Sequence, residues 1–211
     1  MADESRRSFL KTTGLVVAGI VALPGPGRAG SGPLSQGYIL VDSGKCQGCL
    51  TCMMTCAVAN EGEANLSLSR LQVRQNPFGK YPDDLNVSQC RQCADPACVA
   101  ACPAGALTAD PAAGNVRAID RARCVGCGSC VRACPFGEAI LDAPAGKAAK
   151  CDLCASAKFL GQPGGPGGTQ ACVEICPMKA IRFTTELPRQ DGDSGYDVNL
   201  RGQAWQDLGH E

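Results

Sequence analysis

The chain has 211 residues with 20 basic and 20 acidic side chains, a balance that lacks the basic excess of a nucleic-acid surface. Aromatic residues make up 4%, and glycine and proline number 26 and 14, so the apolar core is thin for this length. Sixteen cysteines, against a single histidine at His210, have to cross-link what that core cannot hold.

The first element is a leader. Ser5-Arg6-Arg7-Ser8-Phe9-Leu10-Lys11 precedes an apolar run from Gly14 to Leu23 and a Pro/Gly-rich stretch from Pro24 to Gly32, the pattern of a twin-arginine export signal. The run is shorter than the ~20 residues of a bilayer span. Gly27 and Ala29 form a small-x-small cleavage site, which bounds the leader at 1–29. Cleavage there removes four basic and two acidic side chains and leaves a formal charge of −2. Gly25-Pro26-Gly27-Arg28-Ala29-Gly30 matches G-x-G-x-x-G, but in this tail it has neither a strand before it nor a helix after it. Later apolar stretches are broken within about ten residues, so no membrane span is expected in the mature chain.

Tyr38-Ile39-Leu40-Val41 reads as a strand entering the first cysteine quartet, Cys46, Cys49, Cys52 and Cys56, with a short helix over 49–60 leaving it. A strand over 69–75 follows. The second quartet, Cys90, Cys93, Cys98 and Cys102, holds a helical segment over 96–101, then a turn and strand over 103–107. A strand over 116–119 precedes the third quartet, Cys124, Cys127, Cys130 and Cys134, and another over 139–141 succeeds it. The fourth quartet, Cys151, Cys154, Cys172 and Cys176, is closed by a strand over 180–184. Cys-Pro-x-x-Ala-[Leu/Ile] recurs at Cys102 to Leu107 and Cys176 to Ile181, a sign of internal duplication. Seventeen residues separate Cys154 from Cys172, and Gly161 to Gly168 within them read as a flexible loop, either a partner contact or a tolerated surface insertion. The tail after Glu186 has no cysteine. In it Trp205, with Val198, Leu200 and Leu208, either anchors on a partner or packs back on the chain.

The spacing selects the chemistry. Disulfide density belongs mainly to short secreted domains, and structural zinc uses two separated Cys pairs, often with histidine. Here three cysteines crowd into seven or nine residues in three quartets, and Pro103, Pro135 and Pro177 each follow a fourth cysteine. C-x2-C-x2-C-x3-C-P is the run that holds cubane iron–sulfur clusters in bacterial ferredoxins, its fourth cysteine serving the other cluster of a pair. Four [4Fe–4S] clusters are therefore expected, with the quartets working in pairs. Each oxidised cubane with four thiolates adds −2, so the loaded mature protein carries about −10. The chain without iron is expected to be unfolded or molten. Free thiols oxidise outside the cytoplasm, so a cluster protein bound for the periplasm acquires its metal first, which suits a route that carries folded cargo. Arg91, Arg123, Arg132, Lys150 and Lys179 adjoin cysteines and either raise local potentials or are solvated. With every cysteine committed, no nucleophile–base pair remains for independent catalysis.

The quartets, the wide fourth pair, the leader and the length resemble the four-cluster iron–sulfur subunit of the dimethyl sulfoxide reductase family of molybdopterin oxidoreductases. The chain is also similar to the polyferredoxin subunits that accompany tungsten aldehyde oxidoreductase-type proteins, around Asn60-Glu61-Gly62-Glu63 and Leu68-Ser69-Arg70-Leu71. The resemblance runs to about Phe183. It implies an α+β fold of two ferredoxin-like dicluster modules, the second inserted in the first, loop-rich with short strands and helices. The first module would span 30–80 and 146–185, the inserted one 81–145, with 186–211 as a tail. It implies crosswise ligation: Cys46, Cys49 and Cys52 with Cys176; Cys151, Cys154 and Cys172 with Cys56; Cys90, Cys93 and Cys98 with Cys134; Cys124, Cys127 and Cys130 with Cys102. The implied function is electron transfer between a molybdopterin or tungstopterin catalytic subunit and a quinone-side membrane subunit or periplasmic carrier. A free periplasmic polyferredoxin is the alternative, and a self-contained redox enzyme is a third reading that needs an open iron site.

Overall fold

The computed structural model describes residues 32–207 apart from Pro82 and Asp193. The leader over 1–29, the side chain of Trp205, and Leu208 lie outside what is described.

Among the described residues, eight short strands form four separate two-stranded antiparallel sheets. Strand β1 (Tyr38–Val41) pairs with β8 (Ile181–Thr184), joining segments some 140 residues apart. The other three sheets are local hairpins: β2 (Leu71–Gln75) with β3 (Leu85–Gln89), β4 (Leu107–Asp110) with β5 (Val116–Ile119), and β6 (Ala139–Asp142) with β7 (Lys147–Lys150). The α-helices among the described residues are α1 (Thr51–Glu61), α2 (Ala97–Ala100), α3 (Ser129–Ala133), α4 (Ala171–Ile175) and α5 (Gln203–Asp207). No helix among the described residues is long and apolar enough to cross a membrane. This is a mixed α/β architecture of short elements, as a dicluster ferredoxin-like domain requires.

The expected strands and the first helix are present with boundaries shifted by a residue or two, except that the strand expected within 103–107 starts only at Leu107 and runs to Asp110, and β3 and β7 were not anticipated. Their sequences, Leu-Asn-Val-Ser-Gln and Lys-Ala-Ala-Lys, have little strand preference of their own. Each is the return arm of a hairpin, and in the second the turn residue Gly146 takes the left-handed region at φ 60°.

A two-stranded sheet is marginal alone, and these sheets are held by packing in which the thiols take part. Ile39, Val41, Met53, Leu71, Val87, Leu153 and Ile181 form the largest core with Cys52, Cys56, Cys172 and Cys176. Ala106, Leu107, Ala139 and Ala148 surround Cys124 and Cys130.

All four residues of β1 are buried, and alternation sends its side chains to two faces. Ile39 and Val41 enter the main core, and the other face, Tyr38 and Leu40, is covered by Tyr196 and Val198. The tail is thus stitched to β1: the Val41 N–H donates to the Tyr196 carbonyl at 2.8 Å, and the Val198 N–H to the Val41 carbonyl at 2.7 Å. The Leu200 N–H donates to Asp42 Oδ2 at 2.7 Å. Val198 and Leu200 are therefore engaged within the chain.

The Gly/Pro-rich insert, expected to be loose, is anchored. The Gly165 N–H donates to the Leu153 carbonyl at 2.8 Å, and the buried Gln170 amide donates to the Gly165 carbonyl at 2.7 Å and the Gly168 carbonyl at 3.1 Å. Gly164 lies so close to the Cys154 turn that a Cβ would meet the Cys154 carbonyl oxygen at 2.0 Å. Only glycine allows that approach.

Candidate functional site

Each quartet is built alike. A turn carries the first cysteines, the third stands in a short helix, and the fourth lies one turn further on. In the first, Gly48 at φ 65° and Leu50 at φ 60° bend the chain in the left-handed region between Cys46, Cys49 and Cys52. Leu50 then caps α1, which carries Cys52 and Cys56. Cys98, Cys130 and Cys172 lie in α2, α3 and α4, and Cys134 and Cys176 cap the ends of α3 and α4 in extended conformation.

This geometry separates the fourth thiol from its own quartet. One cavity is lined by Cys46, Cys49, Cys52 and Cys176. A second is lined by Cys56, Cys151, Cys154 and Cys172. The roomiest of these three, about 310 Å³, is lined by Cys90, Cys93, Cys98 and Cys134. In the last group Cys130 is raised by burial and by the crowding of Cys102 and Cys124. Cys127, on the same loop, stands exposed, its sulfur 3.4 Å from the Ser129 hydroxyl.

The donor sets fit iron–sulfur clusters. All sixteen cysteines are free of disulfides. Among the described residues no three Cys, His, Asp or Glu side chains converge tightly enough to hold a single metal ion; in three of the four groups the thiols instead line a cavity, as a many-atom cluster demands. Burial first, then crowding by neighbouring cysteines, pushes Cys52 up to about 12. Burial also pushes Cys98 up to about 12, and Cys93 and Cys154 up to about 11. Such sites refuse four bare thiolate charges, and multivalent iron is what makes them tolerable. The exposed pair shifts the other way: hydrogen bonding from Thr51 lowers Cys49, and from Ser129 lowers Cys127.

Backbone N–H groups point at sulfur throughout, the arrangement that favours thiolate and tunes a bound cluster. Arg70 N–H reaches Cys56 Sγ at 3.3 Å, Glu138 N–H reaches Cys134 Sγ at 3.3 Å, and Ala180 N–H reaches Cys176 Sγ at 3.3 Å. Ala148 N–H reaches Cys124 Sγ and Gly48 N–H reaches Cys46 Sγ, both at 3.4 Å.

The cations near the cysteines divide by depth. Arg123, Arg132 and Lys179 are exposed. Arg91 is buried and stacks over Tyr196 at 4.4 Å and Phe136 at 5.3 Å. Lys150 is buried and lines the 310 Å³ cavity. Two further buried arginines were not among the cations expected beside the cysteines. Arg117, 1% exposed, donates to the carbonyls of Asn115 at 2.7 Å, Pro33 at 2.8 Å and Cys93 at 2.9 Å. Arg70 pairs with Asp152 at 3.1 Å and Glu61 at 3.2 Å.

Comparison with known proteins adds the family context. Residues 84–186 match the model of the 4Fe-4S dicluster domain. The chain is 38% identical over 147 residues to the NADH-dependent phenylglyoxylate dehydrogenase subunit beta of Aromatoleum evansii, covering 70% of this chain but 30% of that relative. It is 33% identical over 156 residues to the thiosulfate reductase electron transfer subunit PhsB of Salmonella typhi, covering 71% and 77%. It is 38% identical over 140 residues to the polyferredoxin-like subunit of the aliphatic sulfonate oxidoreductase of Pyrococcus furiosus, covering 66% and 70%.

Proposed function

Since the chain belongs to the 4Fe-4S dicluster family of iron–sulfur electron-transfer subunits of oxidoreductases, we propose that it carries four [4Fe–4S] clusters and relays single electrons between a molybdenum or tungsten pterin subunit and a quinone-side membrane subunit or periplasmic carrier. The observation that carries this reading is the sorting of thiols: three cavities each lined by three cysteines of one quartet and one of another. The ligand sets follow: Cys46, Cys49, Cys52 and Cys176; Cys56, Cys151, Cys154 and Cys172; Cys90, Cys93, Cys98 and Cys134; Cys102, Cys124, Cys127 and Cys130. When bound, each cluster supplies one-electron redox chemistry at a potential its surroundings set.

The chain's own residues order these sites. Cys172 is crowded by Cys52, and Cys151 by Cys90, which makes the first three sites neighbours in sequence. Cys98 packs against the core that holds Cys124 and Cys130, which adds the fourth. Half-buried Cys151 and buried Cys172 lie within this row, whereas Cys49 and Cys127, at its two ends, are the exposed ligands. Electrons enter and leave at those two surfaces. Pairing of β1 with β8 supports a first module of 30–80 with 146–185 around an inserted 81–145. The Arg6-Arg7 leader supports export of the loaded protein to the periplasm.

Affinity purification of the tagged, exported chain under mild conditions tests the partner. Recovery of a pterin-containing large subunit is expected; recovery of the chain alone as a soluble monomer would favour a free polyferredoxin. Iron analysis tests the cofactor count, with about sixteen irons per chain expected for four cubanes.

A further inference from the structure

Lys150 ends β7, beside Cys151, and is 4% exposed. Lysine is almost never buried so deeply without a counter-charge. Its ammonium donates to the carbonyl of Arg117 and, at 2.8 Å, to that of Cys151, which satisfies two of its three donors and none of its charge. Among the described residues no carboxylate lies within ion-pair distance of it. Asp152, which feels its charge, is held by Arg70 at 3.1 Å and by the Ser156 hydroxyl. Besides buried Glu138, which lines the same cavity as Lys150, negative charge is available from two other directions. Lys150 lines the cavity of Cys90, Cys93, Cys98 and Cys134, and the thiol next to it in the chain, Cys151, lines the neighbouring cavity. Cys90 and Cys151 crowd each other across this point.

We infer that Lys150 is a fixed cation shared by these two interior cluster sites, setting both of their reduction potentials together while leaving the two outer sites unaffected. The inference rests on the four-cluster reading. One-electron uptake takes a cubane with four thiolates from −2 to −3 without a proton. A buried cation beside it stabilises the more negative form, so it raises the potential on each side. Lys150 is a positioning charge that touches no electron donor.

The test is a potentiometric titration of the loaded full-length chain, followed by electron paramagnetic resonance and visible absorption, comparing wild type with Lys150→Met. Two of four midpoints are expected to fall, each by about tenfold in the reduction equilibrium, 59 mV for one electron. The other two are expected to stay, and Lys158→Met, at an exposed lysine, to move none. If Lys150→Met fails to load, Lys150→Gln, which still donates to the carbonyls, is titrated instead. Midpoints that do not move, a shift in one alone, or a uniform shift of all four overturns the inference, as does failure of both variants to load, which would make the role structural. A wild-type iron content below about sixteen would instead overturn the four-cluster reading on which this rests.

Discussion

Replacing Arg70 by methionine tests how the two cysteine regions are braced. Arg70 is 7% exposed and pairs with Asp152 at 3.1 Å and Glu61 at 3.2 Å; Glu61 passes the contact to Arg121 at 2.9 Å, and Arg121 to Asp142 at 2.6 Å. The ladder therefore runs from the Cys151 loop through α1 to β6. Breaking a buried pair by removing one partner costs about 3–5 kcal/mol, because the other charge stays buried. Asp152, 4% exposed, would be that charge. The lower end applies: its Oδ1 is near Arg70 but off hydrogen-bonding geometry, and its Oδ2 keeps the Ser156 N–H at 3.2 Å. A loss of about 3 kcal/mol in a chain of this size lowers the melting temperature by about 6–12 °C. The assay is thermal bleaching of the visible cluster absorption at one fixed scan rate, since cluster loss makes unfolding irreversible. Arg70→Met/Asp152→Asn removes both charges and should recover most of the loss, while Glu61 retains Arg121. If Arg70→Met melts with the wild type, or the double variant melts as low as the single one, the ladder does not brace the fold.

Three further outcomes are expected. Gly164→Ala drives a Cβ to 2.0 Å from the Cys154 carbonyl oxygen and should cost about 1–3 kcal/mol or more, with iron lost from the neighbouring site, whereas Gly167→Ala enters open space and should be neutral; melting temperature and iron content read both. Cys134→Ser should perturb the signal of the site shared with Cys90, Cys93 and Cys98, and leave that of Cys124, Cys127 and Cys130 intact, as resolved by electron paramagnetic resonance. Arg6→Lys/Arg7→Lys should hold the loaded chain in the cytoplasm, which cell fractionation measures; unchanged export would remove the leader from the account.

Cysteine spacing alone carried the class of cofactor, because three closely spaced thiols on one loop are a local constraint that no distant residue can undo. The strands before the first quartet and after the fourth were legible for the same reason: Tyr38 to Val41 is a short apolar run and Ile181 to Thr184 alternates apolar with polar residues, so their preference is written in their own residues. Lys-Ala-Ala-Lys held no such preference, and only the hairpin made it β7. The depth of Lys150, Arg70 and Arg117, and the cover that Tyr196 lays on β1, came from contacts across tens to more than a hundred residues. A basic residue beside a cysteine reads the same in sequence whether water or a buried wall surrounds it. Lys179 and Lys150 each adjoin a quartet, yet one is exposed and the other lies between two cavities. Sequence determined which atoms could bind iron; packing decided which charges face those atoms, because burial and long-range pairing belong to the folded chain as a whole.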